Sequence, residues 1–477
     1  MVRLECFFAM LTYNFENLGS VSLYEHLYKC IKNDIIQRIL KAGEKLPSKR
    51  TFAKNLGIST ITVENAYALL VSEGYIYSIP KKGYFVSDIE TVQKNSHSVL
   101  SSENIALSSG TSDYLANFTS NQTNIENFPF SIWAKLIREI LNENQQDLVT
   151  NPPCGGVFAL RDAIASHLRD FRGMQVSPEQ IVIGAGTEYL YGLLIQLLGF
   201  DKNYGVENPG YHKISLIYQR HQVSCHFITM DSSGVQIEEL EKNNIDVIHL
   251  SPSHHFPTGK TMPIGRRYEL LGWASKEENR YIIEDDYDSE FRLSGRPIPT
   301  MQNIDVLEKV IYMNTFTKTL ASTVRISYMV LPMHLVNKFY KELSFYSCTV
   351  SNFEQYTLAH FIQEGYFEKH INRMRKYYHA KRDTLLSLIK NSPLSSYAEI
   401  AEEDAGLHFL LKLKTTLSDS AFCLKAEQKG VKLKPLSDYY VNEKEQTEHI
   451  FVINYSSVET EVMKEAIQKI YEIVKIA

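Results

Sequence analysis

Over residues 24–40 apolar side chains return every four positions. Leu27, Ile31, Ile35 and Ile39 fall on one face, and this spacing predicts a helix closed by Gly43 and Pro47. A short helix follows, opening after Pro47 and Ser48 and stopping at Gly57. Ser59 is suited to cap a third helix, along which Val63, Tyr67 and Leu70 share a face and which Gly74 ends. The stretch YIYSIPKKGYFV (75–86) alternates apolar and polar positions around Pro80, Lys81, Lys82 and Gly83, the pattern of a two-stranded wing. Residues 88–112 are rich in Ser and polar side chains without a sustained apolar period, and read as a linker.

Beyond the linker the pattern changes. Short apolar runs alternate with helical stretches, the sign of α/β layering around a mostly parallel sheet. Four runs stand out as strands: QIVIGAG (180–186), DVIHLSP (246–252), YIIEDDY (281–287) and VIYMNTF (310–316). Each ends in polar or small residues, and open α/β sheets bind ligands at the carboxyl ends of their strands. The chain thus divides into a helix-turn-helix module with a wing over 20–87, a linker over 88–112 and an α/β body over 113–477.

The length of 477 residues, with 44% hydrophobic and 22% charged residues, fits a globular chain with more than one core. No run approaches the ~20 apolar residues of a membrane span, and no cleavable leader is evident, so a cytoplasmic protein without membrane contact is expected. Met10 offers an alternative start. Six cysteines (Cys6, Cys30, Cys154, Cys225, Cys348 and Cys423) lie scattered, with neither a CxxC pair nor a His at zinc-like spacing, so neither disulfides nor a metal site is expected. The net charge of −5 conceals an asymmetry. Residues 20–87 hold ten Lys and Arg against five Asp and Glu, leaving the module at +5 and the remainder at −10. A basic module on an acidic body calls for an anionic partner.

Two helices joined by a tight turn at Gly57-Ile58-Ser59 set the second helix in a major groove. Ser59, Thr60, Thr62 and Asn65 then face base edges, Ser48 and Arg50 suit phosphate contacts, and Lys82 and Gly83, with Lys81, lie on the wing beside an adjacent groove. A small helical interaction module would share the bare outline. The segments LPSKR (46–50), NLGISTITVENAY (55–67), SEGYIY (72–77) and KKGYFV (81–86) are more specific: they resemble the winged helix-turn-helix of the GntR regulators, which implies double-stranded promoter DNA as partner. That family often carries Arg where Thr60 and Glu64 stand, so base readout is expected to differ.

The strand ends of the body carry one coherent chemistry. Lys318, after the 310–316 run, is placed to form an imine with an aldehyde. Asp285 follows a buried run and suits a protonated pyridine nitrogen, with Tyr287 two residues on, toward the ring oxygen. Gly186 and Thr187 open a helix whose N–H groups suit a phosphate, which Thr315 and Arg325 complete. In this order these residues, with Tyr211 of ENPGY as ring stacker, resemble the fold-type I aminotransferases. Taken with the module, nearly the whole chain resembles the MocR/GabR regulators, in which such a body is fused to a GntR-type winged helix. The resemblance implies pyridoxal 5'-phosphate as cofactor, Lys318 as its covalent anchor and a head-to-tail homodimer.

Three departures bear on function. Fold-type I enzymes hold a substrate carboxylate with an Arg near the C-terminus, where HIFVINYSSVETEV has Ser457 and no Arg or Lys between Lys444 and Lys464. Lys213 stands where amino-acid-responsive members place a second Arg, and Phe256 replaces the Asn of the usual N-P-T-G turn. The body is therefore expected to bind the cofactor without processing amino acids, with the cofactor itself as effector, as in the PdxR type of the family that controls vitamin B6 synthesis. The alternatives are a regulator of amino-acid or amine metabolism whose effector is held by Lys213 or His254, and an active aminotransferase with an appended module.

Overall fold

The computed structural model describes residues 11–15, 22–89, 114–120, 125–143, 145–292, 298–404, 406–441 and 449–476. The linker expected over 88–112 lies outside the described residues from residue 90 onward, as does Met10. The chain divides into two compact units, Met1–Gly110 and Thr111–Ala477.

In the first unit three helices, Leu23–Ile36, Lys49–Leu56 and Thr60–Ser72, precede two strands, Ile76–Ile79 and Gly83–Val86. Leu27, Ile31 and Ile35 pack with Phe52, Val63, Tyr67 and Leu70 in one core, closed by Ile76 and Val86 of the wing. The first helix is shorter than its periodicity suggested. Arg38 turns left-handed at φ 59°, and the N–H groups of Ile39 and Leu40 both donate to Asp34 O at 2.9 and 3.1 Å. Ile39 is consequently 60% exposed and Leu40 fills the core instead. The other boundaries follow the caps: Ser48 and Ser59 accept from the N–H groups of Thr51 and Thr62, and Gly57 closes its helix at φ 66°.

The second unit is built on an eight-stranded sheet ordered Ile181–Gly184, Ser327–Val330, Val310–Thr315, Tyr281–Asp285, Val247–Leu250, Asn203–Asn208, Ser224–Asp231, Gly234–Val235. From Val310–Thr315 through Ser224–Asp231 the strands run parallel. The Ser327–Val330 strand is antiparallel to both its neighbours. The strands Val310–Thr315, Tyr281–Asp285 and Val247–Leu250 and the edge strand Ile181–Gly184 are buried along their whole length, as expected of a sheet covered on both faces. Helices Phe158–Arg172 and Asn352–Gln363 help build the core on one face, and Thr187–Leu198 and Met333–Glu342 help build another. A smaller antiparallel sheet, Ala398–Ala401, His408–Leu413 and Ile450–Asn454, packs with the long helix Tyr366–Lys390 and the helix Thr460–Ile476. The four expected strands all occur in the main sheet, and crossovers bring their carboxyl ends together.

Candidate functional site

At these strand ends lies a cavity of about 260 Å³, whose lining includes Gly186, Thr187, Tyr211, Asp285, Tyr287, Thr315, Lys318 and Arg325. Eight residues drawn from five stretches of chain thus meet in one space.

Asp285 ends its strand with the carboxyl buried. Its Oδ2 accepts from Tyr191 Oη at 2.8 Å and lies 3.4 Å from His249 Nε2. Tyr218 Oη sits 2.9 Å from His249 Nδ1. With the tyrosine donating there, His249 carries its proton on Nε2, toward Asp285. Among the described residues Oδ1 has no partner. A buried carboxylate oxygen left bare while its twin is fixed suits a ligand N–H donor.

Lys318 follows the neighbouring strand, and burial pushes its ammonium down to about 8 against the opposing pull of Asp288. The fraction of reactive neutral amine at neutral pH rises accordingly. Tyr287 Oη lies 3.3 Å from His254 Nδ1, and that nitrogen in turn lies 2.7 Å from Asp288 Oδ2. Burial holds the Tyr287 hydroxyl protonated, well above the usual range.

The anion end of the cavity departs in detail from expectation. Gly186 sits at φ 94° with its own N–H donating to Gly184 O at 2.9 Å, so its contribution is clearance. A Cβ there would stand 2.5 Å from Arg325 Nη2. The free donors belong to the first turn of the helix from Thr187, which has no intrahelical acceptors. The Thr315 hydroxyl is already engaged: it accepts from Ser327 Oγ at 2.8 Å and donates to Thr317 Oγ1, another cavity residue, at 2.8 Å. Arg325 Nη2 donates to Glu188 Oε2 at 3.3 Å, while Glu188 Oε1 pairs with Lys213. Tyr211, 52% exposed, meets Phe256 edge to face at 5.9 Å.

Sequence reasoning missed Tyr191, His249, Thr317 and Glu188. Tyr191 stands one helical turn after Thr187, and His249 points from the DVIHLSP strand, so spacing held a usable signal for both. Ser457 is directed elsewhere, donating to Ser120 O at 3.2 Å, and does not line the cavity.

In the first unit Thr60, Asn65 and Arg50 are exposed, and Lys82 and Gly83 lie at the tip of the wing. Ser48 and Ser59 use their hydroxyls as helix caps, and Thr62 Oγ1 lies 2.8 Å from Ser59 Oγ. Ile61, not singled out by its sequence, is 69% exposed between Thr60 and Thr62.

Residues 23–86 match the description "Bacterial regulatory proteins, gntR family". The regulator YdeL of Bacillus subtilis (strain 168), an uncharacterized HTH-type transcriptional regulator, is 37% identical over 88% of this chain and 90% of its own. The probable rhizopine catabolism regulatory protein MocR of Rhizobium meliloti is 30% identical over 95% of this chain and 94% of its own. The chain belongs to the MocR group of GntR-family transcriptional regulators. The pyridoxine biosynthesis transcriptional regulator PdxR of Corynebacterium glutamicum is 27% identical over 82% of this chain and 83% of its own. The C-terminal unit has the fold of the type I aminotransferases. The crystal structure of kynurenine aminotransferase from Pyrococcus horikoshii superposes with a TM-score of 0.66 at 24% identity, covering 77% of this chain and 92% of that one.

Thr60 and Glu64 are the two positions of this MocR-type regulator at which base readout is expected to differ. Glu64 does not stand alone: its Oε1 accepts from Lys49 Nζ at 2.6 Å, joining the two helices of the helix-turn-helix and offsetting the acid's charge on the exposed face. Among the described residues no helix is long and apolar enough to cross a membrane, and no cluster of His, Cys, Asp or Glu could hold a metal ion.

Proposed function

We propose that this regulator binds pyridoxal phosphate in its C-terminal unit and reads the cofactor's own concentration, adjusting the affinity of its winged helix for promoter DNA. Its targets in this reading are genes of vitamin B6 synthesis, or else of amino-acid and amine metabolism. The observation that carries the proposal is the bare Oδ1 of Asp285, in one cavity with Lys318 and, at the anion end, Arg325 over Gly186. This donor set fits the group. A carboxylate oxygen awaits a ring N–H, a partly neutral amine awaits an aldehyde, and a guanidinium with a helix N-terminus awaits a phosphate. Bound there, pyridoxal phosphate supplies an aldehyde and an electron-accepting ring.

The residues divide the work by position. Tyr191 and His249 fix Asp285 through Oδ2, so that Oδ1 would be free to accept from a ring N–H. Tyr287, toward the ring oxygen, keeps its proton because it is buried. Tyr211 would cover the ring face, and the first turn from Thr187 with Arg325 would hold the phosphate. What sets the unit apart from an enzyme is the missing anchor for a substrate carboxylate. Lys213 is tied to Glu188, and Ser457 lies outside the cavity lining. A bidentate guanidinium would contribute roughly 1.5–3 kcal/mol there. On the DNA side, Thr60, Thr62 and Asn65 face bases, Arg50 and the caps of Ser48 and Ser59 sit against phosphates, and the Lys82-Gly83 wing lies in a neighbouring groove. A linker near 88–112 and a cytoplasmic head-to-tail dimer complete the arrangement.

A second reading keeps regulation but makes an amine the effector. It is favoured by His254 Nε2, buried without a partner among the described residues. One experiment separates the two: promoter DNA is titrated with full-length protein, with and without pyridoxal phosphate, amino acids and simple amines. A response to the cofactor alone supports the proposal. A response that needs an amine or amino acid in addition overturns it, and steady-state transamination would restore the enzyme reading.

A further inference from the structure

The two cations at the anion end of the cavity already share one carboxylate from within the protein. Glu188 is the second residue of the helix opened by Gly186, and its two oxygens face two cations from distant stretches of chain. One is Arg325, whose Nη2 donates to Oε2 at 3.3 Å. The other is Lys213, in the first turn of the helix His212–Arg220, two residues after Tyr211. The Lys213 ammonium holds the Glu188 carboxyl below the usual carboxylate range, with Arg325 adding to the effect. Glu188 stands at the N-terminus of the very helix whose free N–H groups and dipole favour an anion there.

We propose that Glu188 is a built-in competitor for the phosphate of the bound cofactor, lowering its affinity so that occupancy follows concentration. The inference rests on the cofactor-sensing reading above and deepens it. A phosphate arriving at Arg325 displaces Glu188 from the guanidinium, and Lys213 keeps the released carboxylate. Such pairs are displaceable because they are half exposed: the side chains of Glu188, Lys213 and Arg325 keep 39, 49 and 48% of their surface. Two cations therefore serve one internal carboxylate when the site is empty, and a carboxylate with a dianion when it is filled. Lys213, by holding Glu188, opposes its return to Arg325. The position of Lys213 beside Tyr211 also ties the phosphate contact to the residue that covers the ring.

The test uses full-length protein and two probes, pyridoxal phosphate and pyridoxal, which differ only in the phosphate. Their dissociation constants are measured by the visible absorbance and the intrinsic fluorescence of the protein, for wild type, Glu188→Gln, Lys213→Gln and the double variant. Removing one full charge beside a dianion should tighten pyridoxal phosphate by roughly tenfold at low salt, less at high salt, and leave pyridoxal unchanged. Lys213→Gln should weaken pyridoxal phosphate, and weaken it less when Glu188→Gln is already present, since part of its effect is to restrain that carboxylate. DNA binding should respond to about tenfold less pyridoxal phosphate in Glu188→Gln. An unchanged or weaker constant in Glu188→Gln overturns the inference, as does equal tightening for both probes. Wild-type protein that binds neither probe overturns the cofactor reading itself, and this inference with it.

Discussion

Replacing Lys318 with Met should stabilise the ligand-free protein at neutral pH. The side chain keeps its length while the charge disappears from a site where burial pushes the ammonium down to about 8, from ~10.5 for a free lysine. A tenfold loss of proton affinity corresponds to about 1.4 kcal/mol, so the charged form costs at most roughly 3–4 kcal/mol, and roughly 1–3 after allowing for the surface that Lys318 keeps in the cavity. Between pH 8 and about 10.5 the folded lysine is neutral while the unfolded one still holds its proton. The unfolded state then binds more protons, and wild-type stability rises with pH through that window. Below pH 8 the cost is present in full, and above about 10.5 it is gone. The assay is urea unfolding of hydroxylamine-treated protein from pH 7 to 10.5, wild type beside Lys318→Met. The variant should be more stable at pH 7, with the difference closing as pH approaches 10.5. A difference that does not vary with pH, or a variant less stable throughout, would refute the desolvation argument. The same variant should lose the visible absorbance that pyridoxal phosphate gives wild-type protein.

Gly186→Ala should reduce pyridoxal phosphate affinity at least tenfold, because a Cβ would stand 2.5 Å from Arg325 Nη2 and φ 94° disfavours any side chain; urea unfolding should show a loss of about 1–3 kcal/mol. Tyr191→Phe removes one of the two groups that fix Asp285 Oδ2, and should weaken the cofactor several-fold with a stability loss near 1 kcal/mol, read by absorbance titration and thermal melting. Ile61, exposed at the start of its helix, should contact a thymine methyl. Ile61→Ala should lose preference for T over U at one position of a selected operator while the salt dependence of binding stays unchanged.

The N-terminal module was readable because its signals are local. Ser48, Ser59, Gly57 and Gly74 mark helix ends through their own caps and turns, and the buried positions recur at helical spacing, Leu27, Ile31 and Ile35 on one helix and Val63, Tyr67 and Leu70 on another. The one boundary misread, at Ile39, depends on the left-handed Arg38, which periodicity does not encode. In the body the four strands and the residue types at their ends were also legible, since fully buried strands are continuous apolar runs.

The order of amino acids thus specifies the elements and the chemistry available at their ends. How that chemistry is poised depends on contacts between distant segments. Tyr191 and His249 reach Asp285 across 94 and 36 residues of chain, and leave one of its oxygens bare. Arg325 meets Glu188 across 137 residues. The Thr315 hydroxyl is held between Thr317 and Ser327, its register partner on the antiparallel strand. These pairings follow from strand order and crossovers, which place distant segments side by side, and no local period or cap carries that information.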